Sequence, residues 1–462
     1  MPAPFRMLGV LSLAALPAAA ALAVKAERQL TFAPRNHHLD NNDNFSPDDR
    51  WLAFGPREDD TAIAGNAVIA RVDLATGQIA EIYREPLAQT WGPGVGATNV
   101  NPVDGRIAFI RGLTGATAKR PYAMWRRSGA YLWPDQPGKI GLLDARDVVA
   151  PFTPGALRGG THRHEWSADG RWIGFTYNDA VLAEIEERTG TRVNLRTVGV
   201  ATWSPRGPVH VPAGPENHDG EMVSAVVVRV VPDPRPGSDE ISRAFEDAWI
   251  GRAGYVRSDG SRQRHARAFL GNVRTADGRE VTEVFVVDIP ERIDVPGDTG
   301  PLEGTAGSMP QPPRGAVQRR LTFTATRKFP GVALEPRHWV RSSPDGSRIV
   351  FLAKDEAGVV QAFLVAPQGG AIVQVTHGPQ PAQSCVRWSP DGTILLYVSD
   401  RAVTVCDVRP DSAGFGTARA LTASAEQLPE NVVWSNNGKT IAFNRRVLTE
   451  GKWRQQIFLV EP

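Results

Sequence analysis

The side chains best suited to chemistry in this 462-residue chain are histidines and acids that stand just before copies of one short turn motif. His162 and His338 each stand five residues before the first residue of a copy, and Glu430 stands at the same position before another copy. Two imidazoles and a carboxylate suit a divalent metal ion (Mn, Ca or Zn), or the binding and deprotonation of an acidic sugar. In the metal hypothesis, His162 and His338 are the ligands.

Further polar side chains occupy or flank the equivalent positions before other copies of the motif. They are Asn41, Asp43, Arg163, His164 and Arg337. The alternation of a β-strand predicts that His162 and His164 lie on one side of it. The structural alternative is that all these groups bind only water or cap neighbouring carbonyls.

The turn motif predicts the elements that position these side chains. Six copies, each flanked by two apolar segments, begin at Ser46, Asn101, Ser167, Ser343, Ser389 and Ser435. Most contain Asp or Asn followed by Gly, residues that adopt the positive φ of a tight hairpin, so each copy predicts two antiparallel strands. The last three copies are 46 residues apart, which matches the length of a four-stranded propeller blade.

We therefore predict an all-β chain that forms a single β-propeller of four-stranded blades. One blade hidden between residues 190 and 320 gives seven blades, whereas none or two there would give six or eight. Residues 28–32 resemble outer-strand segments of later blades and are predicted to close the last blade. Equivalent positions in a ring converge on its axis, which would bring His162, His338 and Glu430 together.

An insertion is predicted at residues 113–138, where basic and aromatic residues are interleaved. Its candidate lid residues are Trp125, Arg126, Arg127 and Trp133, which could stack on sugars or hold an acidic ligand. The alternative is an ordered loop whose aromatic side chains pack on the ring.

A second insertion is predicted at residues 232–260. Ser238 could cap a short helix there, because Ile241, Phe245 and Trp249 recur every four residues. Residues 296–314 are rich in Pro and Gly and are predicted to form a surface loop.

The first 26 residues predict a secretory signal peptide, because a basic residue precedes an apolar run and then small residues. The remaining residues, 27–462, would be a monomeric propeller in the periplasm or outside the cell, without a stable membrane anchor. Removing Arg6 and Lys25 with the signal changes the formal net charge from +2 to 0 (+2 − 2), which argues against a nucleic-acid partner. Cys385 and Cys406 are predicted to be buried free thiols, since a strand separates them in one blade.

Several segments resemble known propeller families. The Trp-Ser-Pro-Asp-Gly hairpin at Trp388 resembles the repeats of the Tol-Pal protein TolB, which implies the fold. The segments at residues 30–38, 159–164, 236–241 and 336–339 are similar to the YidR family over nearly the whole mature chain. The run Thr161-His162-Arg163-His164 is similar to that of oligogalacturonate lyases, seven-bladed propellers whose channel holds manganese on histidines and a glutamine. In this chain Gly159 stands where that family has the glutamine, and the offset to the turn differs by one residue.

The sequence favours a binding module and leaves one alternative function open. No G-x-S-x-G, H-E-x-x-H or phosphate-binding loop occurs. We therefore expect an extracytoplasmic TolB-like propeller that binds an envelope protein or an acidic glycan. The alternative is a metal-assisted lyase or hydrolase that acts on acidic oligosaccharides in the central channel.

Overall fold

The structure is a computed structural model that describes residues 24–40, 42–57 and 62–462. Within them the chain forms a seven-bladed β-propeller, in which each blade is an antiparallel sheet that begins beside the central channel and ends at the rim. The predicted fold class and the blade count of seven are confirmed. None of the described helices is both long enough and apolar enough to cross a bilayer.

The first three blades contain the following strands, ordered from the channel outward. In blade 1 the innermost position is occupied by Phe45, which forms an isolated β-bridge with Leu52. The strands that follow are β2 (Trp51–Phe54), β3 (Val68–Asp73) and β4 (Ile79–Arg84). Blade 2 contains β5 (Val95–Val100), β6 (Ile107–Gly112), β7 (Arg127–Leu132) and β8 (Ile140–Leu142). Blade 3 contains β9 (Gly159–Trp166), β10 (Trp172–Asp179), β11 (Thr197–Trp203) and β12 (Met222–Val226), with the helix α1 (Ala180–Thr189) between β10 and β11.

The other four blades follow the same order. Blade 4 contains β13 (Ile241–Trp249), β16 (His265–Arg274), β17 (Glu280–Ile289) and β18 (Val317–Arg320), with a small hairpin of β14 (Tyr255–Val256) and β15 (Arg262–Gln263). Blade 5 contains β19 (Arg341–Ser342), β20 (Ile349–Lys354), β21 (Val360–Val365) and β22 (Val373–Gln374). Blade 6 contains β23 (Arg387–Trp388), β24 (Ile394–Ser399), β25 (Ala402–Asp407) and β26 (Ala418–Ala420). Blade 7 contains β27 (Glu430–Trp434), β28 (Ile441–Thr449), β29 (Lys452–Val460) and β1 (Arg28–Gln29).

The turn motif joins the first two strands of a blade through a local hydrogen-bond network. In blade 6, Ser389 Oγ donates to Asp391 Oδ1 over 2.6 Å and accepts the backbone N–H of Ile394 over 3.0 Å. Gly392 has a φ of +74°, where a side chain would be strained. The same serine-centred arrangement recurs in blades 1, 3, 5 and 7, so the motif sets the register of each inner strand.

The N-terminal strand closes the ring, as predicted. In β1, Arg28 pairs with Leu459 and Gln29 pairs with Phe458 of β29. Leu30 continues the ladder by donating its N–H to the Ile457 carbonyl over 2.8 Å, and its side chain is 3% exposed. The outer edge of β29 is therefore paired along these residues, and β1 is the rim strand of the last blade.

The predicted helix near Ser238 is wrong, because Ile241–Trp249 is the inner strand β13 of the hidden blade. Its register against β16 shifts twice, between Ile241 and Ala244 and between Phe245 and Ala248. Both faces are buried along most of its length, so apolar residues do not alternate. These irregularities produced the four-residue spacing that suggested a helix.

The predicted insertion at residues 113–138 is also wrong in its second half. Residues 127–132 form β7, an ordinary third strand, and only residues 113–126 form a loop between β6 and β7. Residues 296–314 hold no named strand or helix and are joined at their base by a bridge between Pro296 and Pro313. Cys385 and Cys406 are free and buried, as predicted. The signal prediction concerns residues 1–26, of which 1–23 lie outside the described residues.

Candidate functional site

A cavity of about 340 Å³ lies at the end of the channel where the inner strands begin. We call it the arginine cavity, because six arginines and only two carboxylates line it: Arg57, Arg127, Arg163, Arg196, Arg243, Arg337, Asp40 and Glu246. Six positive and two negative groups give a net charge of +4 (6 − 2) around this small volume. The lining therefore favours an anion.

A bulge in the inner strands decides which side chains reach the arginine cavity. Ala97, Arg163 and Glu246 have φ values of +58°, +53° and +50°, and each lies at a shift in register against the second strand. All three line the cavity. An added residue in a strand turns the next side chain to the other face. Ala97 and Arg163 stand four residues before a turn motif, so this position faces the channel as well as the fifth position, where His162 stands.

His162 and His164 lie on different sides of β9, contrary to the prediction, because the bulge at Arg163 separates them. His162 lines the arginine cavity, and its buried Nδ1 has no hydrogen-bond partner among the described residues. Burial, and then the charges of Arg127 and Arg196, hold the pKa of His162 well below its ordinary value. His164 is fully buried, and its Nε2 lies 3.0 Å from Thr161 Oγ1. Burial lowers the pKa of His164 to about 3.

His338 has a structural role at the equivalent position of blade 5. Its Nδ1–H donates to the Pro336 carbonyl over 3.1 Å, and its Nε2 accepts the N–H of Leu352 over 3.2 Å. In blade 6, Ser384 Oγ accepts the N–H of Val398 over 2.9 Å in the same way. Each of these side chains accepts the backbone N–H of a residue in the second strand, to which the inner strand offers no carbonyl. Both ring nitrogens of His338 are therefore used, and burial lowers its pKa to about 4.

The remaining predicted channel residues are dispersed. Glu430 accepts a hydrogen bond from Gln455 Nε2 over 2.6 Å within blade 7 and does not line the arginine cavity. Asp43 is ion-paired with Arg387 and lines a second cavity at the other mouth. Asn41 lies outside the described residues. The ring does not bring His162, His338 and Glu430 together as predicted.

The described residues do not fit a divalent metal ion in the channel. No group of three or more His, Cys, Asp or Glu side chains in the described part of the chain is placed to hold one. His338 has no nitrogen left to donate, and the six arginines around His162 would repel a cation. The proposed ligand pair, His162 and His338, therefore has no support in the described geometry.

Two arginines of the cavity are held in place by one indole. Arg163 and Arg337 place their guanidinium carbons 3.6 Å and 4.7 Å from the centre of the Trp339 ring. Arg337 Nε also donates to Glu246 Oε1 over 2.9 Å. Cation–π contacts of this kind orient a guanidinium without neutralising its charge.

Three arginines of the cavity make no ion pair with a carboxylate among the described residues. Arg127 donates to the Tyr122 hydroxyl over 2.7 Å, Arg196 donates to the sulfur of Met124 over 2.8 Å, and Arg243 lies over the Phe245 ring at 4.1 Å. Burial, and then repulsion from Arg243 and Arg127, lower the pKa of Arg196 to about 10. Burial, and then repulsion from Arg341, lower the pKa of Arg163 to about 9. A bound anion would relieve this repulsion.

Only one of the four candidate lid residues lines the arginine cavity, and that residue is Arg127. Arg126 turns away and donates from Nε to Glu216 Oε1 over 3.0 Å. Trp125 is half-buried and does not line the cavity, and Trp133 lies past the far end of β7 beside Arg106. The loop 113–126 instead contributes Tyr122 and Met124 to the lining.

The lining residues that sequence reasoning missed include Arg57, Arg196, Arg243, Glu246 and Trp339. Trp339 could have been found, because it stands four residues before a turn motif, as do Ala97 and Arg163. Arg57 follows the second strand of blade 1, and Arg196 precedes the third strand of blade 3. The turn motif does not define which way side chains point at these positions.

The chain is similar to one protein-family model over part of its length and to other proteins over nearly its whole length. Residues 94–220 match a family described as "Protein of unknown function (DUF3748)". The chain is 38% identical over 433 residues to "Uncharacterized protein YidR" of Escherichia coli (strain K12), covering 93% of this chain and 94% of that protein. Among solved structures it is similar to an oligogalacturonate lyase in complex with manganese, with 13% identity, a TM-score of 0.53 and coverage of 96% and 94%. An oligogalacturonate lyase from Vibrio parahaemolyticus gives 11% identity, a TM-score of 0.50 and coverage of 94% and 92%. At these identities the solved structures show a shared fold alone.

Proposed function

This chain belongs to the YidR family, and we propose from its arginine cavity that it is an extracytoplasmic propeller that binds acidic oligosaccharides. The observation that carries the proposal is the excess of six arginines over two carboxylates around one cavity. Guanidinium groups bind carboxylates through paired hydrogen bonds, which gives both affinity and geometric selection.

The size of the cavity selects a small ligand. Its volume of about 340 Å³ lies at the lower end of the roughly 300–1,000 Å³ found for small-molecule sites. A few sugar residues with carboxylates fit such a volume, whereas a folded protein surface does not enter it. The arginines without a carboxylate partner, Arg127, Arg196 and Arg243, are the groups that would bind the ligand.

The extracytoplasmic location rests on the sequence of residues 1–26. This segment has the charge, apolar run and small residues of a secretory signal. Its removal would release the propeller outside the cytoplasm, where it would meet acidic polysaccharides.

A metal-assisted lyase is the weaker proposal. The similar lyase structure contains manganese, but the described residues of this chain supply no comparable ligand group. The net positive lining of the arginine cavity also opposes a cation. Binding therefore follows from the geometry more directly than lyase chemistry does.

Isothermal titration calorimetry of the mature protein with trigalacturonate tests the proposal. The variants Arg196→Gln and Arg243→Gln remove one cavity charge each. We expect each to raise the Kd about tenfold or more, because a hydrogen bond to a charged group contributes roughly 1.5–3 kcal/mol. Arg171→Gln is the matched control, since Arg171 is exposed in the turn between β9 and β10 at the other mouth.

The methyl ester of trigalacturonate separates charge recognition from sugar recognition. We expect the ester to bind at least tenfold more weakly than the acid, and the affinity for the acid to fall as salt rises. Equal affinity for the acid and the ester, or a double variant at Arg196 and Arg243 that binds like the wild type, would contradict the proposal.

A further inference from the structure

A third cavity, apart from the channel, contains a serine hydroxyl hydrogen-bonded to a histidine. This cavity has a volume of about 160 Å³ and lies between the loop 113–126 and residues 215–218. Ser128 and His218 both line it, and Ser128 Oγ lies 2.6 Å from His218 Nε2. This distance is that of a nucleophile hydrogen-bonded to its general base.

Rigid backbone holds both members of the pair. Ser128 lies in β7 and pairs with Arg111 of β6. His218 forms two backbone hydrogen bonds with Arg146, over 3.0 Å and 2.9 Å. Sites built on paired backbone keep their geometry better than sites on free loops.

The imidazole of His218 is held in the tautomer that a general base needs. Its Nδ1–H donates to the carbonyl of Asp219 over 3.0 Å, which leaves Nε2 to accept the Ser128 hydroxyl. Burial lowers the pKa of His218 to about 4, and the charges of Arg146 and Arg111 act in the same direction. The ring is therefore neutral at neutral pH, with no proton on Nε2.

Backbone donors beside the pair can stabilise a developing negative charge. Arg111 and Arg126 also line the cavity, but each is already paired with a carboxylate, Glu85 and Glu216 respectively. The backbone N–H groups of Thr114 and Gly115, which also line it, donate no hydrogen bond to any described residue. Donors aimed at an emerging oxyanion are the usual means of accelerating acyl transfer.

We propose that Ser128 and His218 form the nucleophile and general base of an esterase site for short-chain acyl esters. Ser128 Oγ bonds to the acyl carbon while its proton passes to His218 Nε2, and the ester C–O bond breaks as the alcohol leaves with that proton. A water molecule then attacks the acyl-serine and gives a proton to His218. The carboxylic acid leaves, and Ser128 recovers its proton. The volume of about 160 Å³ limits the acyl group to a few carbon atoms.

Labelling of the full mature protein with a fluorophosphonate tests the site, because this probe phosphonylates only activated serines. We expect one adduct, which peptide mapping places on Ser128. Ser128→Ala should abolish the adduct, and His218→Asn should slow its formation about 100-fold or more, the usual size of general-base catalysis. The rate of p-nitrophenyl acetate hydrolysis should be highest in the wild type, lower in His218→Asn and lowest in Ser128→Ala.

Ser224→Ala is the matched control, since Ser224 is a buried strand serine whose hydroxyl has no hydrogen-bond partner among the described residues. It should label like the wild type. Peptide mapping of the labelled wild-type protein tests whether Ser128 is the nucleophile, even if Ser128→Ala fails to fold. Wild-type protein with a cooperative melting transition and no adduct at Ser128, or hydrolysis that is unchanged in a folded Ser128→Ala variant, would overturn the proposal.

Discussion

The guanidinium carbon of Arg163 lies 3.6 Å from the centre of the Trp339 ring, across the channel between blades 3 and 5. Each residue stands four positions before a turn motif, and Arg163 turns inward at a residue with φ of +53°. The indole therefore orients a cation that burial alone would disfavour. This contact joins two non-adjacent blades at the floor of the arginine cavity.

Trp339→Ala should destabilise the protein and weaken binding of an acidic oligosaccharide. Trp339 is 3% exposed, and truncation of a buried Trp costs about 3–5 kcal/mol. Urea unfolding measures the loss. Trp453→Ala is the control, because Trp453 is 51% exposed and its removal should cost about 0.5 kcal/mol or less. Equal losses for the two variants would refute the assigned role of Trp339.

His338→Ala should reduce stability without changing the metal content. The variant leaves the buried N–H of Leu352 without its acceptor, which costs about 1–3 kcal/mol. His338→Ser should recover part of this loss, because Ser384 has the same role in blade 6. A His338→Ala variant that unfolds at the wild-type urea concentration would show that the bond contributes nothing.

The closing strand depends on Leu30 and not on Phe32. Leu30 is 3% exposed, whereas Phe32 is 67% exposed. Leu30→Ala should cost about 2–5 kcal/mol, and Phe32→Ala should be nearly neutral. Deletion of residues 27–34 should lower the melting temperature strongly or cause aggregation, since Thr31 also bonds to β29. A deletion variant that melts like the wild type would contradict the role of β1.

Asp144 should make stability fall as pH rises from about 4 to 6. Burial raises the pKa of Asp144 from 3.8 to about 6, so the folded state binds this proton more tightly than the unfolded state. The stabilisation is complete below the unfolded pKa and is lost as pH approaches 6, by about 3 kcal/mol. Asp144→Asn should remove this loss and can keep the acceptor for the Gly129 N–H.

Urea unfolding at pH 4 and pH 7 checks the sign of this effect. The stability of Asp144→Asn relative to the wild type should increase between these pH values. Asp411→Asn, at an exposed loop position, should follow the wild type at both. A constant difference between Asp144→Asn and the wild type would exclude the assigned shift.

Elemental analysis should find little bound metal. After growth with added manganese and zinc, the purified protein should hold less than about a tenth of an equivalent of either. His162→Ala should leave this content unchanged, because His162 has no second ligand beside it among the described residues. Near-stoichiometric manganese that is lost in His162→Ala would restore the metal hypothesis.

The blades could be predicted from sequence because their signal is local. Each Ser-x-Asp-Gly turn contains its own hydrogen bonds, as between Ser389 and Asp391, so four or five residues are enough to define a hairpin. Repetition of that hairpin at a regular spacing implied a ring, and the likeness of residues 28–32 to outer strands implied its closure. The strands of blade 4 could not be assigned from the sequence, because the inner strand of this blade has two bulges and two buried faces.

The arginine cavity could be decided only by the tertiary structure. The bulge at Arg163 changes which face of β9 each following side chain occupies. His164 therefore lies in the core, whereas Arg163 lies in the channel. Arg57 and Arg243 are 186 positions apart (243 − 57) and meet only because the ring closes. Sequence by itself determined the repeated hairpins, since their energetics are confined to neighbouring residues. The positions of the charges depend on strand register and ring closure, which are properties of the assembled sheet.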